Sequence, residues 1–291
     1  MLRFLYVFAL FLALSASPLA AQNSPYFVAY DHQMEEVGNL EITHQSTFGF
    51  QKQNLPNFWG PLMELEYGAT GWWSTSLYLE AASQAHDATV FTGFRLENRF
   101  KPLKRDHLIN PVLYFEFEDI SEASRIKKEI VGHAEPGNDL LRDLRAVKAR
   151  ELEGKLILSS NARGWNIAEN FILEKNLTEE EGVEFGYAFG ISRPLASIAS
   201  GNSCRLCREN FNAGLELYGG LGSTEQFGFS DTAHYLAPTV AWRFAENSVL
   251  RVSPGFGLTA NSDRVLLRVG YTYEIPGFGP KLARMFRGGR K

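Results

Sequence analysis

The ten residues from Val183 to Ser192 alternate strictly between two kinds of side chain. The odd positions carry Val, Phe, Tyr, Phe and Ile, whereas the even positions carry Glu, Gly, Ala, Gly and Ser. Successive residues of a strand point to opposite faces, so this period of two predicts a β-strand with one apolar face and one small, polar face. The pattern recurs to the end of the chain. The fold must therefore cover many long apolar strand faces.

The chain begins with an apolar leader, residues 1–21, that is typical of a secretory signal peptide. Arg3 supplies a positive charge ahead of the apolar run 4–14, and the small residues Ala20 and Ala21 predict cleavage before Gln22. The run is about half of the roughly 20 residues that a membrane-spanning helix needs. A retained anchor is the alternative interpretation.

The composition of the chain narrows the function classes. Its net charge is −4, so it lacks the basic footprint of a nucleic-acid-binding protein, and 22 Phe and 11 Tyr make it rich in aromatic residues. An open soluble sheet would need a second layer over these faces, whereas lipid covers them in a membrane barrel. We therefore predict an all-β fold, a single closed antiparallel up-and-down transmembrane β-barrel. A periplasmic β-sandwich also alternates and is the alternative.

Strand-like segments recur about twelve times, and most have the length that a tilted strand needs to cross a bilayer. The predicted strands are 40–51, 61–69, 73–83, 88–100, 111–119, 150–161, 165–177, 183–192, 211–222, 235–245, 249–260 and 264–275. The segment 165–177 fits least well, because Glu169 falls on its apolar face.

These strands divide the chain into an N-terminal periplasmic segment, a barrel and a tail. The segment is 22–39, the barrel is 40–275, and the basic C-terminal tail is 276–291. With a periplasmic N-terminus, the charged connection 120–149 becomes a long external loop that would restrict the mouth. The connection 193–210, which holds both cysteines, then lies on the periplasmic side.

The last predicted strand resembles the C-terminal strand signal of bacterial outer-membrane β-barrels. That signal places a polar residue, Gly, an aromatic residue and a hydrophobic residue at fixed spacing, as Arg268, Gly270, Tyr273 and Ile275 stand here. The resemblance implies insertion into the outer membrane of a Gram-negative cell, with the barrel-assembly machinery and outer-membrane lipid as partners. Such chains usually stop at the final aromatic residue, whereas this one continues to Lys291.

Along each strand, the positions that alternate with the apolar ones would face the lumen, and many of them carry charged residues. They are Glu64, Glu66, Glu80, Arg95, Glu97, Arg99, Glu116, Glu118, Glu151, Glu153, Glu184, Glu216, Arg243, Arg251, Arg268 and Glu274. A charged side chain inside a closed barrel must be either paired or hydrated. Two outcomes are therefore open: a selective aqueous pore, or a lumen plugged by Glu–Arg pairs. Acidic residues of the fifth and sixth strands could face basic residues of the tenth to twelfth, as in a porin constriction.

His44 and Ser46 share the outward face of the first strand. This spacing is similar to the His-x-Ser arrangement of the outer-membrane phospholipase, also a twelve-stranded barrel, and the resemblance would make Ser46 the nucleophile and His44 its base. The neighbouring outward positions offer no Asn or Asp to orient the imidazole. An ordinary interfacial His and Ser is the alternative.

Cys204 and Cys207 are the only cysteines, and in an oxidising periplasm their spacing predicts a small disulfide. A reduced pair or a metal-binding pair is the alternative. No motif for a metal or another cofactor occurs. The sequence thus favours a passive channel or transporter-like pore for a small polar or amphipathic solute. A lipid-modifying enzyme and a non-conducting structural barrel are the alternatives.

Overall fold

The computed structural model describes residues 24–52, 55–126, 130–133, 140–196 and 204–288. Its twelve strands are β1 Leu40–Phe50, β2 Phe58–Thr70, β3 Trp73–Gln84, β4 Thr89–Phe100, β5 Asn110–Ser121, β6 Lys148–Ala162, β7 Trp165–Asn176, β8 Glu184–Pro194, β9 Phe211–Ser223, β10 His234–Ala245, β11 Ser248–Gly257 and β12 Val265–Ile275. Each strand pairs antiparallel with its sequence neighbours, and β1 also pairs with β12 from Leu40↔Ile275 to Phe50↔Val265. The prediction of a single closed twelve-stranded barrel is confirmed. The predicted leader, residues 1–21, lies outside the described residues.

The two faces of the sheet differ as the alternation predicts. On β5, Phe115 is 55 % exposed, whereas its neighbours Tyr114 and Glu116 are 0 % and 1 % exposed. Outward positions of the other strands repeat this apolar exposure, for example Phe171 on β7 and Phe256 on β11. A barrel with an apolar exterior and a polar interior matches the pattern of membrane-spanning barrels.

The start of β1 and the end of β12 lie at one end of the barrel, which we call the terminal end. It has the tight turns after β2, β6 and β10, and the opposite end, the loop end, has the long connection between β5 and β6. Stacked outward aromatic pairs lie near the terminal end, including Trp73 with Phe100 and Phe211 with Trp242. Such aromatic rings form the girdle of a membrane barrel at the lipid–water interface.

Helices are minor elements. Helix α1, Leu141–Leu144, lies in the connection between β5 and β6, and helix α2, Phe278–Gly288, follows β12 within the predicted basic tail. A 3₁₀ turn, Arg208–Asn210, precedes β9. Among the residues that the structure describes, no helix has the length and the hydropathy to cross a membrane.

The N-terminal segment lies inside the barrel. Residues 24–36, which we call the plug, contact inward side chains of walls on different sides of the lumen. Tyr30 lies against Tyr78 of β3 and Tyr114 of β5, while Tyr26 donates to Asn166 of β7. The sequence placed this segment on the periplasmic side without locating it in the lumen. Its apolar residues pack against buried apolar side chains of the barrel wall, and Val28 is fully buried.

The connection between β5 and β6 also enters the lumen, from the loop end. We call residues 122–126 and 130–133 the crossing loop. Ile126 packs between Leu62 of β2 and Tyr78 of β3, whereas Val131 forms a backbone bridge with Gly186 of β8. The crossing loop therefore reaches from one wall to the opposite one, and the barrel is obstructed at two levels.

The lumen as candidate functional site

Arg95 is the centre of the charge network on one side of the lumen. Its guanidinium on β4 bonds the carboxylates of Glu80 on β3 and Glu118 on β5, the latter at 2.7 Å, and lies 3.4 Å from Glu116. All four side chains are buried. Three buried carboxylates thus share one guanidinium, so the loss of Arg95 would remove a counter-charge from all three.

A second group lies nearer the terminal end. Arg99 bonds Glu66 of β2 and Glu97 of its own strand, with 3.0 Å between Arg99 Nε and Glu97 Oε1. The hydroxyl of Tyr78 donates to Glu64 at 2.8 Å and also to Glu97. Tyr78 is nearly fully buried, and its hydroxyl connects side chains of β2 and β4.

The acidic residues of β5 and β6 have counter-charges on their own side of the lumen. Glu116 and Glu118 of β5 contact Arg95 on the adjacent strand β4. On β6, Glu153 pairs with Lys155 at 2.9 Å. Neighbouring strands are only about 4.8 Å apart, so an adjacent side chain reaches a carboxylate before one from the opposite wall does.

The other predicted charges lie in separate places. Glu151 is partly buried at the loop end, and the carboxylate of Glu184 lies against Gly132 of the crossing loop. Near the terminal end, Glu274 accepts a hydrogen bond from the Asn39 amide, and Arg243 is half-buried. The structure therefore distributes these residues along the lumen instead of gathering them into one ring.

Glu216 anchors the plug to the wall. Its carboxylate on β9 is fully buried and accepts hydrogen bonds from the backbone N–H groups of Phe27, Val28 and Ala29, at 3.1 Å to Phe27 and 2.8 Å to each of the other two. Hydrogen bonds to a charged acceptor are about twice as strong as neutral ones, so this contact fixes the plug's main chain. Asn170 of β7 adds a reciprocal pair with the backbone of Tyr30.

Two arginines on the same side contact aromatic rings. Arg251 donates to the carbonyl of Tyr26 at 3.0 Å, and its guanidinium lies 5.3 Å from the ring centre of Phe27. Arg268, fully buried, donates to the hydroxyl of Tyr218 and lies over that ring. Arg251 thus binds the plug, whereas Arg268 belongs to the wall.

A cavity of about 210 Å³ remains between the plug and the wall formed by β1–β3, β11 and β12. Its charged lining is mostly acidic: Asp31, Glu35, Glu36, Glu41, Glu64, Glu66 and Glu274, against Arg99 and Arg251. Burial, together with the nearby carboxylates of Glu41, Glu66 and Glu274, raises the pKa of Glu35 to about 8. The cavity is large enough for water or a small solute and attracts positive charge.

Three carboxylates deeper in the lumen could hold a cation. Glu118, Glu153 and Glu174 each place an oxygen within 4.8 Å of the others, and carboxylate oxygens are the ligands of hard divalent cations. Arg95 and Lys155 already bond two of these carboxylates. A cation would have to compete with both side chains for the same oxygens.

His44 and Ser46 lie on the outward face of β1, as predicted. The distance between His44 Nε2 and Ser46 Oγ is 3.4 Å, and the indole N–H of Trp59 donates to the same Oγ at 3.1 Å. Among the described residues, no carboxylate or amide side chain bonds the other imidazole nitrogen. The pair has the spacing of a nucleophile and its base, and the described residues place no third group against the imidazole as in a catalytic triad.

The disulfide predicted between Cys204 and Cys207 is not formed in the structure. The backbone N–H of Cys207 donates to the carbonyl of Cys204 at 3.3 Å, and the Asn210 amide donates to the same carbonyl. These hydrogen bonds hold the two cysteines in one turn, and the disulfide stays a prediction.

Neither the plug nor Glu174 is among the features predicted from the sequence. The inward parity of β7 identifies Glu174, but Glu169 on the outward face obscured it. The plug left an indirect signal, since the inward positions of β8 are small: Gly186, Ala188, Gly190 and Ser192. A Cβ added to Gly190 would lie 2.8 Å from the ring of Tyr26. Small inward residues mark where another part of the chain fills the lumen.

Comparisons with known proteins find likenesses in structure only. No family model matches the chain, and no curated protein does. The solved structure of the KdgM porin in complex with disordered oligogalacturonate is 10 % identical, with 81 % of this chain and 98 % of that one covered and a TM-score of 0.49. The translocator domain of the autotransporter NalP from Neisseria meningitidis is 11 % identical, covering 84 % and 90 %, with a TM-score of 0.41. The CymD monoaromatic hydrocarbon channel is 9 % identical, covering 85 % and 94 %, with a TM-score of 0.38. On its own geometry, the chain is a closed twelve-stranded β-barrel with an apolar exterior and a polar lumen that its own N-terminal segment occupies.

Proposed function

We propose that the protein is an outer-membrane channel for a small solute and that the plug and the crossing loop hold it closed. The observation that carries this proposal is the way in which the lumen is filled. Glu216, Asn170 and Arg251 bind the main chain of the plug, a segment that precedes β1 and lies outside the strand ladder. A segment held in this way can leave the lumen without disrupting the strand ladder.

The charge of the cavity supports a preference for cations or for polar neutral solutes. Its carboxylates outnumber its guanidinium groups, and Arg99 is already bonded to Glu66 and Glu97. An anionic solute would meet a repulsive field in this part of the lumen. The selectivity of the open channel follows from the same lining.

The test measures ion currents through single proteins in planar bilayers. The native chain is compared with a variant that lacks residues 24–36, and with a second variant in which residues 122–139 are also replaced by a short Gly/Ser linker. We expect brief openings for the native chain, longer openings when the plug is removed, the longest openings when the crossing loop is removed as well, and a reversal potential that indicates cation selectivity. Heat-dependent gel mobility checks that each barrel is folded.

A locked variant provides the matched control. A Cβ at position 190 would lie 3.1 Å from that of Ala29, close enough for a disulfide after a small adjustment. Gly190→Cys with Ala29→Cys, in a Cys204→Ser and Cys207→Ser background, should be silent when oxidised and should open after reduction. Folded variants that never conduct, or a native chain that never opens, would overturn the channel proposal in favour of a structural barrel.

The proposed location includes removal of the leader before Gln22 and insertion through the barrel-assembly machinery. Cleavage there leaves only Gln22 and Asn23 ahead of the first plug residue, so the plug would carry no bulky extension. Mass spectrometry of the protein from outer-membrane fractions should find Gln22 at its N-terminus. A mature chain that retains residues 1–21 would contradict this part.

A further inference from the structure

Helix α2 is tied to the rim of the barrel at its first turn. The backbone N–H of Gly277 donates to the Asn39 side chain at 2.8 Å, and that of Gly279 donates to the carbonyl of Gly38 at 2.9 Å. Gly277 has a φ of +63°, a left-handed conformation that reverses the chain after β12. The start of the helix is therefore fixed relative to the strands.

The helix starts on the outer side of the wall. Gly279 lies against the hydroxyl of Tyr67, and Tyr67 shares the outward parity of β2 with Met63 and Leu65. Tyr273, the last outward aromatic residue of β12, is 43 % exposed. It lies on the same outer face as Tyr67, with β1 between the two strands. The helix therefore continues the lipid-facing surface instead of covering the lumen.

The two faces of α2 differ sharply in chemistry. At 100° per residue, Phe278, Leu282, Met285 and Phe286 form one apolar stripe. Met285 and Phe286 are each 75 % exposed, so no described part of the protein covers them. The remaining faces carry Lys281 and Arg284.

The charge of this region has one sign. Residues 276–291 contain Lys281, Arg284, Arg287, Arg290 and Lys291 and no Asp or Glu. We propose that α2 lies in the lipid surface at the terminal end of the barrel, with its apolar stripe among acyl chains and its basic side chains on anionic phospholipid headgroups. Amphipathic helices with basic polar faces bind membranes in this orientation.

Two observations favour lipid over a protein partner. The first turn of the helix, at Gly279, lies against Tyr67 of the lipid-facing exterior, so the helix starts where a membrane would surround the barrel. A second copy of α2 would bring like charges together, whereas anionic headgroups complement them. This inference does not depend on whether the lumen conducts.

The test uses the full chain with Cys204→Ser and Cys207→Ser, labelled with an environment-sensitive fluorophore at Met285→Cys. The protein is placed in nanodiscs of phosphatidylcholine, with or without phosphatidylglycerol and with lipid-borne quenchers. We expect severalfold stronger quenching at Met285→Cys than at the matched polar-face position Arg284→Cys, and a further increase with phosphatidylglycerol.

Charge reversal separates the two contributions. Lys281→Glu with Arg284→Glu should abolish the increase with phosphatidylglycerol and leave the barrel's gel mobility unchanged. Equal quenching at Met285→Cys and Arg284→Cys would overturn the orientation, and quenching that ignores phosphatidylglycerol would overturn the headgroup contact. Energy transfer between labelled copies without lipid quenching would show that a second copy covers the stripe, and would also overturn the proposal.

Discussion

The two halves of the lumen are filled in different ways. From β2 to β6 many inward side chains are long and charged and bond one another, as Arg95 does with Glu80 and Glu118. The side chains of Tyr30 and Ile126 pack among them. From β8 to β11 many inward positions are Gly, Ala or Ser. The space there is taken by main chain, with Phe27, Val28 and Ala29 of the plug bound to Glu216.

This difference distinguishes the side chains that are fixed by the strand ladder from the segment that can change its position in the lumen. Side chains of the charged half belong to strands that the ladder holds in place, so they cannot leave without unfolding the barrel. The small-residue half is filled by a segment outside the ladder. A conformational change of the lumen is therefore expected on the side of β8–β11, and the charged half should act as a rigid wall.

Arg95→Ala should have the largest effect, because it leaves Glu80, Glu116 and Glu118 buried without their shared counter-charge. Breaking a buried pair from one side costs about 3–5 kcal/mol. Urea unfolding in detergent, followed by gel mobility, should show a lower midpoint. The exposed Arg105→Ala is the matched control and should leave the midpoint unchanged. Equal midpoints for both variants would show that the charged half does not stabilise the barrel.

Glu216→Gln should act on the plug and spare the barrel. A neutral amide offers one acceptor oxygen to three backbone N–H groups, and a hydrogen bond to a charged group contributes about 1.5–3 kcal/mol. Openings in planar bilayers should become more frequent while the unfolding midpoint stays near that of the native chain. Glu246→Gln, in the exposed turn after β10, is the control. A lowered midpoint without added openings would contradict the proposed division of the lumen.

Gly190→Val should have the smallest effect of the three. Its new side chain would press on the ring of Tyr26 and on Ala29, and overpacking typically costs about 1–3 kcal/mol, part of which a shift of the plug relieves. A maleimide should label Ser24→Cys faster in this variant, in a background without the native cysteines. Gly154→Val, on the outward face of β6, should not change labelling. Equal rates in both variants would place the plug elsewhere than against β8.

The strands were predictable because each residue reports its own face. Alternation located all twelve strands and placed Glu116 and Arg95 inward, since parity depends only on position along one strand. It did not pair them, because pairing depends on the register between strands. The sequence therefore did not identify Arg95 as the partner of Glu116 and Glu118. A field between β5 and β10–β12 stays a prediction.

The plug was not predictable in the same way. Residues from Tyr26 to Tyr30 form a short apolar run without alternation, which by itself does not distinguish a lumen-filling segment from a linker. The informative residues were instead in the barrel wall that contacts the plug. Small inward side chains such as Gly186 and Gly190 leave unfilled volume, and close packing requires that something occupy it.

The position of the plug next to β1 bears on the order of events during assembly. The seam between β1 and β12 joins the first strand made to the last, so the cylinder can seal only after the whole chain is present. Residues 24–36 precede β1 directly and reach β9 on the far wall. A curling sheet that wraps around them before sealing would avoid threading a loose end into a finished cylinder. Residues 24–36 would then serve as an internal template while the barrel closes, and they would remain inside it as the proposed gate.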